Sequence, residues 1–507
     1  MSKSSSNDLH ELIYSLSTGE IVYFKKYAKR YCEKESVYLK LFESIKAPEI
    51  ETASTSFGIK SVLNKQRFAE HKWYLYNLIL ESLTAYHKNN RLDFQVRDMI
   101  SKGIILMNKK LFNQALKIIE QAKELIQKNN LNYVSNEVLA LEGTLKMEIF
   151  KEPNIINYFK SLFTTCRKNT KQMDNLTNLL EIRYVAKSLY GKYGILAHIV
   201  DNETLTYCEN KLKEINRNEL TPIEQIIYDS NTINLYAYGK PEIHYHTVFT
   251  RLKDMYTKNK SLIQQHTHNY LYMLSNSITR YIIFNNIEEA NKNLNILKET
   301  NKKSGLFSER YFSTLIDTNI FFYELILLLK NKKIEIAYER IKNIDCSFNK
   351  NIETLPTRIQ LRNFYLFGLI FFYNKQYDLA LDWFYKIFVQ TTSRLDLQLL
   401  ARMYEIACHV ELKNYLLVTH KLVALSRFCK KELSSILQVK TFIKIIKQFI
   451  DTITTYKNLK NKNSLETNLI SLSKIEHIDE FGFDIVIYCI MKNNLISYED
   501  ALDRYNS

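Results

Sequence analysis

Histidine can hold a metal ion or move a proton at neutral pH, and this sequence has 11 histidines. Four of them form two pairs with one residue in between, His244 with His246 and His266 with His268. Residues two apart point to different faces of an α-helix, so neither pair can chelate a metal from a regular helix. The spacing therefore predicts no metal site.

Known catalytic motifs are absent from the sequence. It contains no glycine-rich phosphate loop, no G-x-S-x-G or H-E-x-x-H motif and no paired cysteine or histidine ligand set. Glu405 and His409 are four residues apart on one helical face, a spacing typical of a contact that stabilises a helix. We therefore expect a protein that is not an enzyme and needs no cofactor.

A basic segment at residues 421–462 could bind anions. It contains ten Lys and Arg residues against two acidic residues, in a chain whose net charge is +16. Lys440, Lys444 and Lys447 follow one stripe of a predicted helix, opposite an apolar stripe. These lysines are candidate anion-binding residues that would contact the phosphates of nucleic acid. The alternatives are a solvated helix face and an interaction with the acidic C-terminal segment.

A helix near the N-terminus offers a second basic surface. Ser17 and Glu20 have the spacing of a capping box, which predicts that a helix begins there. Its segment 22–31 interleaves basic and aromatic residues, as nucleic-acid surfaces do. The other interpretation is that its apolar residues, such as Phe24 and Ala28, face a core while its basic residues face water.

The composition indicates which elements position these residues. The 507 residues include 10 Gly and 5 Pro, too few for the tight connections of a β-fold or a doubly wound sheet. Hydrophobic residues make up 46% of the chain, so a core can form without disulfides or structural metals. We therefore predict an all-α fold of long helices joined by short polar links.

The cysteines and the apolar runs bear on the compartment. The 7 cysteines are scattered and form no C-x-x-C pair, which fits a reducing environment. The first residues lack the apolar stretch of a signal peptide. The longest apolar runs, 320–329 and 364–373, are about half as long as a membrane helix and are predicted to be core helices. We expect a cytoplasmic protein without membrane insertion.

From about residue 93 the pattern changes to pairs of helices with small residues at fixed positions. In one unit the small residues are Gly103, Ala115 and Ala122, and in another they are Gly368 and Ala380. The large positions are filled by Leu106, Phe112 and Ile119 in the first unit and by Phe364, Phe367, Phe371, Tyr377 and Phe384 in the second. These segments resemble the tetratricopeptide repeat, in which small residues let two helices approach closely.

The spacing of the repeat-like units departs from that family. Weaker units centre on Ala290, Ala337 and Val418. Ala337 follows Ala290 by 47 residues, Ala380 follows after another 43, and Val418 after another 38. The family period is about 34 residues. The resemblance therefore implies a TPR-like α-solenoid of antiparallel helix pairs with longer helices or loops.

The resemblance also implies where a ligand would bind. In tetratricopeptide-repeat proteins, ligands usually lie on the concave face, which the first helix of each pair lines. The corresponding candidate partner-binding residues here are Tyr272, Asn276, Tyr323, Tyr365, Tyr373 and Tyr404. Tyrosine provides rigid amphipathic contact area at binding surfaces. The alternative is that these side chains fill the core of a tightly wound array.

These patterns divide the chain into three parts. We predict a helical head at residues 1–90, a TPR-like array at 91–470 and a helical cap at 471–507 with seven acidic against three basic residues. The favoured function is a non-enzymatic scaffold or adaptor that binds a protein or peptide. The alternative is a nucleic-acid-binding or regulatory protein that uses the head and the basic segment 421–462. The sequence leaves the oligomeric state open.

Overall fold

The structure is a computed structural model that describes residues 8–31, 37–46, 65–88, 92–129, 134–149, 154–197, 201–235, 242–258, 263, 267–303, 310–344, 346–389, 393–433 and 488. These residues form twenty α-helices and two short 3-10 helices, and they include no strand. The predicted all-α fold is confirmed.

Two compact units are present, Met1–Asp174 and Asn175–Ser507. The predicted boundary after residue 90 falls inside the first unit, and the one after residue 470 lies outside the described residues, so the three-part division stays a prediction.

The first unit contains seven complete helices and the first part of an eighth. They are α1 (Asp8–Ser15), α2 (Thr18–Tyr31), α3 (Val37–Lys46), α4 (Lys65–His87), α5 (Leu92–Asn108), α6 (Phe112–Asn129), α7 (Ser135–Ile149) and α8 (Ile155–Tyr193). Helices α1 to α4 share one apolar core, in which Phe24, Phe42, Leu75 and Ile79 are fully buried. A second core joins α5, α6 and α7.

The start of α2 shows how the sequence sets a helix boundary. The backbone N–H of Ser17 donates to Glu20 Oε2 at 2.7 Å, and the backbone N–H of Glu20 donates to Ser17 Oγ at 3.4 Å. These reciprocal bonds satisfy N–H groups that a helix start leaves unpaired, and they confirm the predicted capping box. Phe24 and Ala28 are buried, whereas three of the four basic residues of α2 are exposed. The structure thus agrees with the core interpretation of this helix.

The second unit contains the rest of α8 and twelve further helices. They are α9 (Asn202–Lys213), α10 (Pro222–Leu235), α11 (Glu242–Lys258), α12 (Thr267–Ile283), α13 (Ile287–Lys303), α14 (Arg310–Lys330), α15 (Ile334–Lys342), α16 (Cys346–Glu353), α17 (Thr357–Tyr373), α18 (Tyr377–Phe388), α19 (Leu395–Glu411) and α20 (Tyr415–Glu432). A continuous apolar core extends from Leu196 to Leu433. Within it α12 contacts α14, α14 contacts α17 and α17 contacts α19.

The same tight turn joins five pairs of helices. In each turn one residue other than glycine adopts a positive φ between 55° and 60°. These residues are Lys110, Asn285, Lys332, Lys375 and Lys413. In the turn after α17, the N–H groups of Lys375 and Gln376 return to the carbonyls of Phe372 and Phe371, both at 2.9 Å. This is the Schellman arrangement, which ends a helix and satisfies its last carbonyls.

Small residues lie where paired helices approach, as the repeat-like pattern predicts. A Cβ added at Gly103 in α5 would lie 2.7 Å from Ile119 Cδ1 in α6. A Cβ added at Gly368 in α17 would lie 2.4 Å from Phe384 Cε1 in α18. Ala380 is fully buried in the same contact region. The absence of a side chain on these glycines therefore sets the distance between the two helices of each pair.

Helix α14 is the one helix in the described part of the chain that could cross a membrane by length and composition, with a mean hydropathy of 1.5 over Tyr311–Lys330. More than half of this stretch, 56%, is buried inside the protein. Leu325 and Leu329 are fully buried in the core of the second unit. Burial among other helices is typical of a core helix, which is the prediction made for residues 320–329.

Candidate binding pocket

A cavity of about 230 Å³ lies in the second unit, where α8, α10, α12, α14 and α17 and the residue before α19 form its wall. Its polar lining residues are Lys187, Tyr190, Asn234, Tyr272, Ser275, Asn276, Thr279, Tyr311, Asn319, Tyr323, Arg358, Arg362 and Arg394. Within the described residues, this lining contains no Asp, Glu, His or Cys. The pocket can therefore bind a ligand through hydrogen bonds, aromatic contacts and positive charge.

A ladder of polar side chains runs along the pocket wall. Asn276 Nδ2 donates to Asn234 Oδ1 at 3.1 Å, and Asn319 Nδ2 donates to Ser275 Oγ at 3.4 Å. Arg362 continues the ladder by donating to Asn319 Oδ1. From Asn234 to Arg362 the successive separations in sequence are 42, 43 and 43 residues. Helix α12 thus contributes two members, Ser275 and Asn276, and α10, α14 and α17 contribute one each.

Tyrosines fix the wall beside this ladder. The hydroxyl of Tyr323 donates to the carbonyl of Ser275 at 2.7 Å and lies 2.9 Å from Thr279 Oγ1. The hydroxyl of Tyr272 donates to Asn234 Oδ1 at 3.4 Å. Since buried polar groups that are hydrogen-bonded rigidify their surroundings, these contacts hold α10, α12 and α14 at a fixed spacing around the cavity.

The structure separates the six predicted partner-binding residues into two groups. Tyr272, Asn276 and Tyr323 line the pocket, and Tyr323, which is only 1% exposed, also belongs to the apolar core. The other three, Tyr365, Tyr373 and Tyr404, belong to the apolar core or pack against it. The hydroxyls of Tyr373 and Tyr404 lie 2.9 Å apart. For this second group, the structure agrees with the alternative interpretation of tyrosines that fill the core.

Four cationic side chains line the pocket, and one of them is neutralised locally. Arg394 donates to both carboxylate oxygens of Asp396, at 2.8 and 2.7 Å. Lys187, Arg358 and Arg362 form no ion pair with any residue that the structure describes. The lining thus carries three positive charges without a nearby carboxylate of its own.

Two of these cations, Lys187 and Arg362, have a lowered pKa, mainly because they are buried. Burial lowers the pKa of Lys187 to about 8, and repulsion from Arg183 and Arg358 acts in the same direction. Burial also lowers the pKa of Arg362 despite an opposing effect of Tyr323, and repulsion from Arg394 and Arg358 makes a smaller contribution. Both effects have the same physical cause, because a low-dielectric pocket disfavours a charge that lacks a counter-ion.

Aromatic rings contact Lys187 and Arg362, which form no ion pair with a described residue. Lys187 Nζ lies 4.6 Å from the centre of the Tyr272 ring. The guanidinium of Arg362 lies 4.3 Å from the centre of the Phe322 ring, and its Nε is buried without a hydrogen-bond partner. Such contacts with the ring face offset part of the cost of removing a cation from water.

A backbone contact closes one end of the pocket. The N–H of Arg394 donates to the carbonyl of Gly191 at 2.9 Å, which joins the end of α8 to the start of α19. Gly194, just after α8, has φ +58°, and a Cβ there would lie within 2.2 Å of the Asp396 carboxylate. Only glycine satisfies both the backbone conformation and this close approach. Gly194 therefore leaves the space that the carboxylate of Asp396 occupies, and this carboxylate binds Arg394.

The four pocket cations were not among the sequence-predicted site residues. The sequence pointed instead to Lys440, Lys444 and Lys447, which lie outside the described residues. One signal could have identified Arg362, because it follows Asn319 by the same 43 residues that separate Asn319 from Asn276. No local pattern marks Lys187, since its neighbours in the pocket come from distant helices.

Of the two histidine pairs, His246 is the residue for which the structure gives a side-chain contact. His246 Nδ1 lies 2.8 Å from the hydroxyl of Tyr281. His266 and the side chain of His268 lie outside the described residues. A search of the described part of the chain finds no group of three or more His, Cys, Asp or Glu side chains that could hold a metal ion.

Comparison with protein-family models, with curated proteins and with solved structures finds no match to this chain.

Proposed function

We propose that this protein is a non-enzymatic, TPR-like helical-repeat protein that binds an extended peptide segment of a partner in the pocket of the second unit. The observation that carries the proposal is the ladder of Asn234, Asn276 and Asn319, with one amide from each of three successive wall helices. A side-chain amide can donate to and accept from a peptide backbone at once. A row of such amides can form hydrogen bonds with a peptide, because its backbone presents N–H and C=O groups at regular intervals.

The helix arrangement supports a repeat architecture. The pairs α12–α13, α14–α15, α17–α18 and α19–α20 each end their first helix in the same positive-φ turn. The first helix of each pair contacts the first helix of the next. Stacked pairs of this kind bury apolar faces that one pair cannot bury alone, and they leave one face of the first helices for a ligand.

The pocket composition supports binding rather than chemistry. Tyr272 and Tyr311 present aromatic area beside the amides, as peptide-binding surfaces do. A volume of about 230 Å³ is below the range of pockets for drug-sized ligands, and it suits one or two side chains of a longer segment. Among the described residues, the lining offers no carboxylate or imidazole to act as a general acid or base.

Nucleic-acid binding by the segment 421–462 remains the alternative proposal. Its described part, in α20, carries Lys421, Arg427, Lys430 and Lys431. Lys421 is engaged with Glu405 at 2.5 Å, whereas Arg427 and Lys430 are exposed. The ratio of absorbance at 260 and 280 nm of the purified protein separates the two proposals, because co-purified nucleic acid raises it.

Peptide binding is tested by selecting peptides from a random displayed library on the full-length protein and titrating them against variants. Asn276→Ala should weaken a selected peptide about five- to tenfold, which corresponds to about 1 kcal/mol for one lost hydrogen bond. Its side chain is partly buried and its partner Asn234 remains in place. Circular dichroism should show an unchanged helix content.

The matched control is Asn291→Ala. Asn291 is exposed on α13, outside the pocket, and bonds only to the carbonyl of Ile287 in its own helix. It should leave peptide affinity unchanged. Equal losses in the two variants, or no loss at Asn276, would count against the ladder as the peptide site.

A further inference from the structure

We infer that the pocket recognises a phosphate monoester on its ligand, held by Lys187, Arg358 and Arg362. The inference rests on the proposed function, because it specifies what the bound segment carries. It starts from the three cations that the cavity wall brings together without a carboxylate among its described lining residues. The three positive charges repel one another in an empty pocket, and a bound anion reduces this repulsion.

The cations converge from two helices. Arg358 and Arg362 are four residues apart on α17 and therefore share one face. Lys187 comes from α8 and is close enough to Arg358 for their charges to repel. Two guanidinium groups and one ammonium group thus line the same cavity, and guanidinium groups can bind phosphate oxygens in a bidentate manner.

A phosphate fits this charge better than a carboxylate. A phosphate monoester carries about −1.5 to −2 charges at neutral pH and three acceptor oxygens, whereas a carboxylate carries one charge. Hydroxyl groups complete the set of donors. Ser275 Oγ accepts from Asn319, so its own O–H can donate into the pocket. Three cations and a hydroxyl together match a dianion with three oxygens.

Two sources could supply this chemistry. One is a phosphorylated side chain within a peptide, which the amide ladder favours because its amides line the same pocket as the cations. The other is a small phosphorylated molecule that fills the cavity alone. The experiment below separates them.

Phosphate recognition is tested by titrating the full-length protein with phenyl phosphate, followed by isothermal calorimetry. We expect saturable binding with a Kd on the order of 1 mM. Arg358→Gln, at an exposed position without an ion pair to any described residue, should weaken it at least tenfold. Arg427→Gln makes the same charge change at an exposed position on α20 and should leave the affinity unchanged. Absence of saturable binding, or equal losses in both variants, would overturn the inference.

A second pair of titrations identifies the source. A peptide library with a central phosphoserine is compared with its unphosphorylated counterpart and with free phosphoserine. Tighter binding of the phosphorylated library than of both others supports a phosphopeptide, and equal affinity of the library and free phosphoserine supports a small ligand. If peptides bind equally with and without phosphate and still lose affinity in Asn276→Ala, the proposed function stands and the phosphate inference fails.

The pH profile tests the role of Lys187 separately from its packing. The charged groups that face it are Arg183 on its own helix and Arg358 on α17, and the ring of Tyr272 on α12 lies against it. Lys187 has a pKa of about 8 and is a cation below that pH, so phenyl phosphate affinity should fall as the pH rises from 7 to 9. In Lys187→Arg the alkaline fall should vanish while binding at pH 7 persists. A fall that persists in this variant would exclude Lys187 as a phosphate ligand.

Discussion

Replacing Asp229 by asparagine should lower the free energy of unfolding by about 3 kcal/mol. Asp229 lies on α10 and is fully buried, and Arg217 donates to both of its oxygens at 3.0 and 2.7 Å. Arg251 on α11 donates to the same carboxylate. Asparagine keeps the shape and removes the charge, so two arginines lose their common partner. Because both arginines retain some contact with water, the loss should lie at the lower end of the range for broken buried ion pairs.

The control for this variant is Asp254→Asn. Asp254 is exposed on α11, close in sequence to Arg251, and its substitution should change the free energy of unfolding by less than about 0.5 kcal/mol. Urea unfolding followed by circular dichroism measures both. Comparable stability of the two variants would mean that the Arg217–Asp229–Arg251 cluster does not hold α10 to α11.

Substitution of Gly368 by alanine should destabilise the second unit by about 1–3 kcal/mol, although alanine is the better helix former. The new methyl group would lie 2.4 Å from Phe384 Cε1 and 2.8 Å from two further ring atoms. Phe384 is fully buried between α17, α18 and α19, so its ring cannot move away without disturbing Tyr404, whose ring stacks on it. The helix pair must separate instead.

Gly191→Ala is the matched control, since this helical glycine has nothing within 4 Å of an added Cβ. There the helix propensity of alanine should act alone and raise the free energy of unfolding by up to about 1 kcal/mol. The two substitutions should therefore have opposite signs. A stabilising effect at Gly368 would show that α17 and α18 are not packed as closely as described.

The helices could be predicted from the sequence because their signals are local. The capping box at Ser17 and the small residues at Gly103 and Gly368 each act over a few residues or between adjacent helices. Such short-range constraints are fully contained in a single stretch of sequence. The five turns were not predicted, since Lys and Asn rather than Gly occupy their positive-φ positions, and the usual glycine signal is missing.

The pocket was predicted in part, for a physical reason. Tyr272 and Tyr404 both lie on first helices of pairs, yet Tyr272 lines the cavity and Tyr404 fills the core. Which of them faces the cavity is set by how the helices pack in the folded second unit, and the sequence pattern does not show that packing. Lys187 and Arg358 are 171 residues apart, so their proximity appears only in the folded chain.

The most direct test of the peptide-binding proposal is photo-cross-linking of a selected peptide to the full-length protein. Tyr311, at the pocket rim and 43% exposed, is replaced by benzoylphenylalanine in one variant. Tyr207, which is 50% exposed on α9 and does not line the pocket, is replaced in the other. The proposal predicts a cross-link from position 311 that excess unlabelled peptide abolishes, and none from position 207. A cross-link from position 207 alone, or a selection that yields no binding peptide, would contradict it.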